Sequence, residues 1–354
     1  MNEKYFNEID IEDEFFDSLK YDYPGFENWF RRKYNQKAYV QYDNNGKIMG
    51  FLYLKSEKDI VADVQPTIFA NTILKVGTFK IDAHGTRLGE RFVKIIFDTA
   101  VNENADLCYV TIFPKHFGLI NLLKQFGFYE YGKKGDEINC EKVFVKDMRK
   151  ISGNISIDYP LVKATGVNKY LLSIYPKYHS IMFTDSILKT ESAEIIKDVS
   201  YGNSIHKIYV CRMDVEILKR GDILVLYRTS DFNKIAEYSS VVTSICVVEE
   251  VKNQGAFTSF NDFFQYACQY SVFDKKDLLY WYNKGGCKII KFTYNIALKN
   301  RLTRHSLIEK VGLDRKGYWG FFKLNDSQFD SIVELGEVNR NITVSYTHLT
   351  LPTT

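Results

Sequence analysis

The stretch His84-Gly85-Thr86-Arg87-Leu88-Gly89 lies between an apolar run ending at Ile81 and a helix-patterned segment over residues 90–100. A strand that turns through glycines into a helix leaves backbone N–H groups converging on one spot beside the positive end of the helix dipole. Such a turn suits a phosphate or pyrophosphate. Its surroundings are patterned too. Leu88, Phe92, Ile95, Ile96 and Ala100 recur at the spacing of a helix with one buried face. Residues 107–113 form a continuous apolar run of buried-strand length, Pro114 breaks it, and Leu119, Leu122, Leu123 and Phe126 predict a second amphipathic helix ended by Gly127. Upstream, residues 38–42 and 48–54 are strand-like, and the Asn45-Gly46 pair between them is the strongest short hairpin signal. Residues 11–34 read as two short helices divided by Pro24-Gly25, and residues 128–131 and 143–145 close the sheet.

At 354 residues the chain has room for two domains of roughly 150 residues each. Its net charge of +3 is too small to announce a nucleic-acid or membrane partner by itself, so any basic surface is local. The six cysteines, Cys108, Cys140, Cys211, Cys246, Cys268 and Cys287, are scattered without a C-x-x-C pair or clustered histidines. That spacing suggests neither a zinc site nor a disulfide framework and fits reduced cytosolic thiols. The first ten residues lack the apolar segment of a signal peptide, and no run of about 18 apolar residues predicts a membrane span. The expectation is a soluble, cytoplasmic protein with no membrane partner and no metal. Residues 344–354, beginning Val344-Ser345-Tyr346-Thr347-His348-Leu349, resemble a translated sequencing-adapter scar and are set aside from fold reasoning.

Periodicity fades after residue 146 into Gly153, Asn154, Pro160 and Gly166, which marks residues 151–168 as a connection between domains at 1–150 and 169–340. The second half is strand-rich, with runs at 170–174, 208–212, 223–227, 240–251 and 288–293 and helical patterns near 260–267 and 276–283. Many strands with few helices argue a small β-barrel or strongly curved sheet. The predicted class is α+β or α/β: an N-terminal mixed sheet flanked by helices, then a C-terminal barrel.

The hairpin at Gly46, the strand running into His84 to Gly89, the buried strand ending at Phe113 and the helix ending in Gly127-Phe128 together resemble the GNAT family of N-acetyltransferases over about the first 150 residues. That resemblance implies acetyl-CoA as co-substrate, with its pyrophosphate held by the amides of the turn. The family signature is Arg or Gln, two residues, Gly, one residue, then Gly or Ala. Here His84 takes the basic or amide position, Arg87 the first small position and Gly89 the last, with a further common glycine at Gly85; Thr86 and Leu88 complete the loop. Arg87 adds a Cβ where φ > 0 or close ligand approach is needed, while its guanidinium can pair with a phosphate. The resemblance also implies that the strand before the loop, here Phe79 and Ile81, holds the pantetheine through backbone groups. His116, and Asn121 further along the same helix, stand where a polar residue touches the pantetheine arm; His116 equally fits a helix cap. The family's usual proton donor is a Tyr four residues before the Gly-Phe pair, and Leu123 stands there. Tyr129, Tyr131 and Asp82 are near in sequence, and no catalytic residue is assigned.

In the second half, Leu172-Ser173-Ile174-Tyr175-Pro176-Lys177-Tyr178, the run from Lys219 through Gly221-Asp222 to Arg228, and Gly317-Tyr318-Trp319 resemble the PUA-like group that includes ASCH and EVE domains. This resemblance implies RNA, or a single and sometimes modified base, as a partner. Such a partner requires cations for phosphate and aromatic faces for stacking. Lys177, Tyr178, Arg212, Arg228, Arg301, Arg304 and Tyr318 supply them, with Arg220 and Trp319 nearby, and residues 301–305 are the densest basic patch. The combined expectation is an acetyl-CoA-dependent N-acetyltransferase whose second module delivers an RNA-linked acceptor. Two alternatives stay open: an acyl-CoA-sensing nucleic-acid-binding protein without turnover, and a small-molecule or peptide acetyltransferase with a structural C-terminal domain.

Overall fold

The turn at Asp43 starts the first sheet. Strand β1 (Asn2–Tyr5) pairs antiparallel with β2 (Lys37–Tyr42), which turns into β3 (Ile48–Val61). The Asp43 carboxylate accepts from the N–H groups of Asn45 and Lys47 at 2.8 and 2.9 Å, and Gly46 takes φ +84°. The predicted hairpin is therefore present, held by a side chain that mimics a backbone turn. This is a computed structural model, and it describes residues 1–82, 87–136, 140–183 and 204–344.

The chain divides into two units, Met1–Met148 and Arg149–Thr354. Each is built on a mixed sheet with flanking helices, a two-domain α+β fold. In the first unit β3 is followed by β4 (Ile68–Ile81), β5 (Leu107–Ile112), β6 (Tyr129–Lys134) and β7 (Glu141–Asp147), in the spatial order β1-β2-β3-β4-β5-β7-β6. All neighbours are antiparallel except β4 and β5, which run parallel. Those two share a ladder only over Ile73–Val76 and Leu107–Val110. Beyond it, β4 continues to Ile81 paired to β3, and the register between them shifts so that Gly77 is an extra residue, a β-bulge. The carboxyl ends of β4 and β5 thus share no ladder.

Alternation along β3 sends Phe51 and Tyr53 to one face and Gly50 and Leu52 to the other. The first face carries α1 (Asp17–Asp22) and α2 (Phe26–Arg32) through a cluster of Phe6, Phe15, Phe16, Phe26, Phe30 and Phe51. On the opposite face lie α3 (Leu88–Asn102), whose Leu88 and Phe92 meet Gly50, and then α4 (Phe117–Gln125).

The second unit opens with α5 (Ile155–Asp158) and β8 (Val162–Lys163). Residues 155–163, expected within a connection, are instead folded in: Tyr159 is buried and donates its hydroxyl to the Tyr294 carbonyl at 2.9 Å. A six-stranded sheet follows, from β9 (Lys169–Ile174), β10 (His206–Cys211), β11 (Ile223–Arg228), β12 (Val241–Asn253), β13 (Lys288–Thr303) and β14 (Phe321–Leu324), in the order β10-β13-β12-β11-β9-β14. A last strand, β15 (Thr343–Val344), pairs with β8. The barrel expected from the sequence is not closed among the described residues, since β10 and β14 end the row and are not paired to each other. Helices α6 (Pro176–Met182), α7 (Ala236–Ser239), α8 (Phe260–Ala267), α9 (Lys275–Lys284), α10 (Arg304–Glu309) and α11 (Asp326–Leu335) flank it. No described helix is long and apolar enough to cross a membrane. The expected scar falls, apart from Val344, outside the described residues.

Phe16 is fully buried with its ring 5.2 to 6.1 Å from those of Phe15, Phe26, Phe30 and Phe51. Phe16→Ala is expected to destabilise the first unit by about 3–5 kcal/mol, read as a lower urea midpoint in the fluorescence of Trp29 beside the cluster.

Candidate functional site

In the first unit, β4 and β5 part at their carboxyl ends, and the amino ends of α3 and α4 follow those ends in the chain. Every second residue of 77–81 turns its N–H and C=O toward the side where β5 no longer pairs. Of the expected cofactor residues, Phe79 is buried against Phe92 with ring centroids 5.5 Å apart, and Ile81 is half-buried, so both are placed to use their backbone. Arg87 is the residue before α3 and is left-handed, φ +54°, the conformation glycine adopts more easily. Its guanidinium Nη1 lies 3.0 Å from Glu90 Oε1, so an incoming phosphate would compete with a carboxylate. Leu88 is buried and offers only its amide. Gly89 is needed for packing, since a Cβ there would sit 2.7 Å from Leu122 of α4. His84, Gly85 and Thr86 lie outside the described residues.

His116 precedes α4 without capping it; its Nε2 faces the buried carboxylate of Asp22 at 3.3 Å, which also takes Lys115. Asn121 is exposed on α4. Leu123 is fully buried, Tyr131 donates to the Thr67 carbonyl at 3.1 Å, and Asp82 pairs with Lys80 at 3.3 Å. The sequence reading missed Tyr23, between α1 and α2. Its hydroxyl donates to Glu141 Oε1 at 3.0 Å, and its ring lies 5.1 Å from that of Phe113, immediately after β5. Burial, reinforced by Glu141, raises its pKa well above the ordinary phenol value. The phenol is thereby held protonated beside Phe113, with its proton directed to Glu141.

The second unit holds a cavity of about 480 Å³, within the range of small-molecule sites. Tyr175 and Tyr178 enter from the start of α6, Tyr209 from β10, Trp281 from α9, and Tyr318 and Phe321 from the segment into β14. Arg212 and Asp214, both exposed, stand on the loop after β10, and Ser173 lies at the end of β9. Tyr318 lies back over Gly320, where a Cβ would meet its Oη at 2.1 Å. The backbone there is fixed: Ser173 N–H donates to the Gly320 carbonyl at 2.8 Å, and Trp319 Nε1 donates to the Asp314 carbonyl at 3.1 Å. Burial raises the pKa of Tyr209, and burial with Asp277 raises that of Tyr178, so both phenols remain hydrogen-bond donors.

Of the expected nucleic-acid residues, the cavity gathers Tyr178, Arg212 and Tyr318; Lys177 lies over the Tyr178 ring at 5.1 Å and pairs with Asp277 at 3.1 Å. The other three lie elsewhere, and Arg228 is a correction. Arg228 is 1% exposed, with Nη2 on Asp231 Oδ1 at 2.9 Å, so it is a buried anchor rather than a surface cation. Arg304 lies over the Trp319 ring at 4.4 Å and donates to the Arg315 carbonyl at 3.0 Å, bracing that loop. Arg301 is half-buried on β13 and near enough to His179 to disfavour its protonation. Chain separation hid Tyr209 and Trp281. The solid apolar run of β11 is the signal that Arg228 would be buried.

No protein-family model and no curated protein matches the chain. Solved structures to which it is similar include ASCH from Zymomonas mobilis, at 8% identity and TM-score 0.33, covering 47% of this chain and 94% of that one. Human THYN1 in complex with DNA containing 5-methylcytosine gives 11% identity and TM-score 0.29, covering 48% and 98%. The N-terminal domain of Thermococcus gammatolerans McrB bound to m5C DNA gives 9% and 0.28, covering 48% and 97%. These likenesses each cover about half the chain.

His179, next to Tyr178 on α6, is fully buried, with Nε2 2.8 Å from Thr243 Oγ1 of β12 and no partner for Nδ1 among the described residues. Burial first, then Arg228 and Arg301, push its pKa down from 6.5 to about 3. The fold therefore holds it neutral, and protons favour the unfolded chain. The resulting stability is full above pH 6.5 and is lost as pH falls toward about 3. His179→Asn is expected to flatten that part of a stability-against-pH curve measured by urea unfolding of Trp281 and Trp319 fluorescence.

Proposed function

We propose that the second unit binds a nucleobase of RNA, or a modified base, and that the first unit is an acetyl-CoA-dependent N-acetyltransferase acting on an RNA-linked amine. The observation that carries the reading is the cavity of six aromatic side chains with one arginine at its mouth. A flat heterocycle stacks on such walls whatever its sequence context, and a guanidinium beside them takes the adjoining phosphate. Ser173 and the phenols supply the few polar contacts that orient a base.

For the first unit the supporting feature is the parting of β4 from β5 after Gly77, which leaves strand backbone groups available to an extended amide such as pantetheine. The amides of Leu88 and Gly89 begin α3 and are available to a pyrophosphate. Acetyl-CoA would supply the thioester and the chain orientation; as the amine attacks and the C–S bond breaks, the proton the amine gives up is available to the departing thiolate. Joining the two units in one chain raises the local concentration of the acceptor.

A second reading is an acyl-CoA-sensing nucleic-acid-binding protein without turnover. It is favoured by Leu123, buried where the resembled N-acetyltransferase family places its proton donor.

Three measurements test these readings. Acetyl-CoA should raise the melting temperature, and labelled acetyl-CoA with cellular RNA should give acetylated RNA by mass spectrometry. No thermal shift overturns the cofactor assignment; a shift without transfer selects the sensing alternative. Tyr318→Ala and Trp281→Ala should each weaken single-stranded RNA binding by about 1–3 kcal/mol, read by fluorescence anisotropy at fixed salt, and unchanged affinity in both overturns the base-site reading.

A further inference from the structure

Lys75 lies in the interior of β4, in register with Lys55 of β3 and Tyr109 of β5. Alternation carries Lys55 and Glu57 onto the sheet face of Phe51 and Tyr53. Gly77 marks the same face, since a Cβ there would meet the Tyr53 ring at 2.7 Å. Tyr109 joins this group by donating its hydroxyl to Glu57 Oε2 at 2.6 Å. Glu57 also takes Lys55 at 2.8 Å, and Asp63 takes Lys134 at 2.5 Å. Lys75 is left over. Its Nζ is 3.9 Å from Glu57 Oε1, beyond hydrogen-bond reach, and 5.3 Å from the centroid of the Tyr109 ring. The side chain is 21% exposed, which leaves it open to a reagent.

Two uses of such a lysine differ in charge. A lysine that holds an anion keeps its proton, whereas one that attacks a carbonyl must lose it. Burial first, and then the charge of Lys134, hold the pKa of Lys75 below the ordinary lysine value; Lys55 acts in the same sense, and Glu57 and Asp63 oppose it. Tyr109 remains a neutral phenol, because burial and Glu57 raise its pKa, so it adds no negative charge to keep the proton on Lys75. This setting favours a nucleophile over an anion ligand.

The strand supplies the electrophile. The β4–β5 ladder ends at Val76 and Val110, and Gly77 begins the stretch that has left β5. An acetyl-CoA with its pyrophosphate on the Leu88 and Gly89 amides and its pantetheine laid back along residues 81 to 77 carries its thioester to the Gly77 end. Lys75 is two residues further, about 7 Å along the strand. We propose that Lys75 is a self-acetylation site that takes the acetyl group from acetyl-CoA held along residues 77–81. The inference rests on the acetyl-CoA reading of the first unit. The Nζ lone pair attacks the thioester carbonyl, the C–N bond forms as the C–S bond breaks, and the proton the amine sheds leaves with the thiol of CoA. An amide and free CoA are the products, with no further reactant.

The test incubates the full chain at neutral pH with deuterated acetyl-CoA or, separately, with acetyl phosphate, and follows each lysine by peptide mass spectrometry. Acetyl-CoA should label Lys75 about 10-fold or more faster than the exposed Lys58 and Lys124, at a rate that saturates with acetyl-CoA and does not change with protein concentration. Acetyl phosphate should favour Lys75 without saturating. Lys75→Arg should remove this label from the intact mass, and Lys134→Gln, which lets Lys75 hold its proton, should slow the labelling by either donor by about threefold or more. Lys75 labelled no faster than Lys58 and Lys124 by either donor overturns the proposal. A rise in melting temperature with acetyl-CoA but no label on Lys75 also overturns it and leaves the cofactor reading standing. Label from acetyl phosphate alone, with neither a thermal shift nor label from acetyl-CoA, overturns both the proposal and the cofactor reading.

Discussion

The aromatic cavity is walled in part by a short helix whose tertiary anchor is a buried histidine that the fold holds neutral. Helix α6 is short, and it contributes Tyr178 and the preceding Tyr175 to the walls. Propensity does not hold seven residues in a helix in water. Tertiary anchoring does: His179 reaches Thr243 at 2.8 Å, its ring lies 5.1 Å from Phe183, and Met182 and Phe183 are buried in the core. Two arginines disfavour the charged imidazole, so the polar anchor and the cationic interior are mutually consistent. Arg228 and Arg301 therefore help set the state of the residue beneath the cavity wall.

The first unit is organised by a different constraint, the single parallel pair in an otherwise antiparallel row. A bulge lets β4 follow β3 while leaving β5, so the carboxyl ends of β4 and β5 share no ladder. Around that opening, charge is already spoken for. Arg87 faces Glu90, Lys80 faces Asp82, and Asp22 holds both Lys115 and His116. Among the described residues, an anion arriving there meets these cations only by exchange.

Local features were legible in the sequence, and assemblies were not. The Asn45-Gly46 turn, the α3 stripe and the helices at 260–267 and near 276–283 carry their signals within a few residues. The row β5-β7-β6, by contrast, places β7 between strands that precede it, which no local pattern encodes. Helix α6 was hidden because Pro-Lys-Tyr-His-Ser-Ile-Met is too short to show a stripe. Of the expected nucleic-acid residues, Tyr178, Arg212 and Tyr318 line the cavity, whereas Arg228 and Arg304 are engaged inside the fold, because a cation's sequence does not reveal whether a carboxylate or an indole is waiting for it. Tyr23 went unnoticed because its partner, Glu141, is 118 residues away.

The arrangement at Gly320 has a kinetic consequence. The backbone beneath Tyr318 is held on both sides, by Ser173 on the Gly320 carbonyl and by the indole of Trp319, while the ring itself is 71% exposed. Motion of Tyr318 at the cavity mouth is therefore rotation of a side chain over a fixed glycine. Exposed rotamers exchange in picoseconds to nanoseconds, far faster than loops rearrange or domains close. Entry to the cavity is then limited by how often a ligand arrives in the right orientation, and residence by how well the rings hold it.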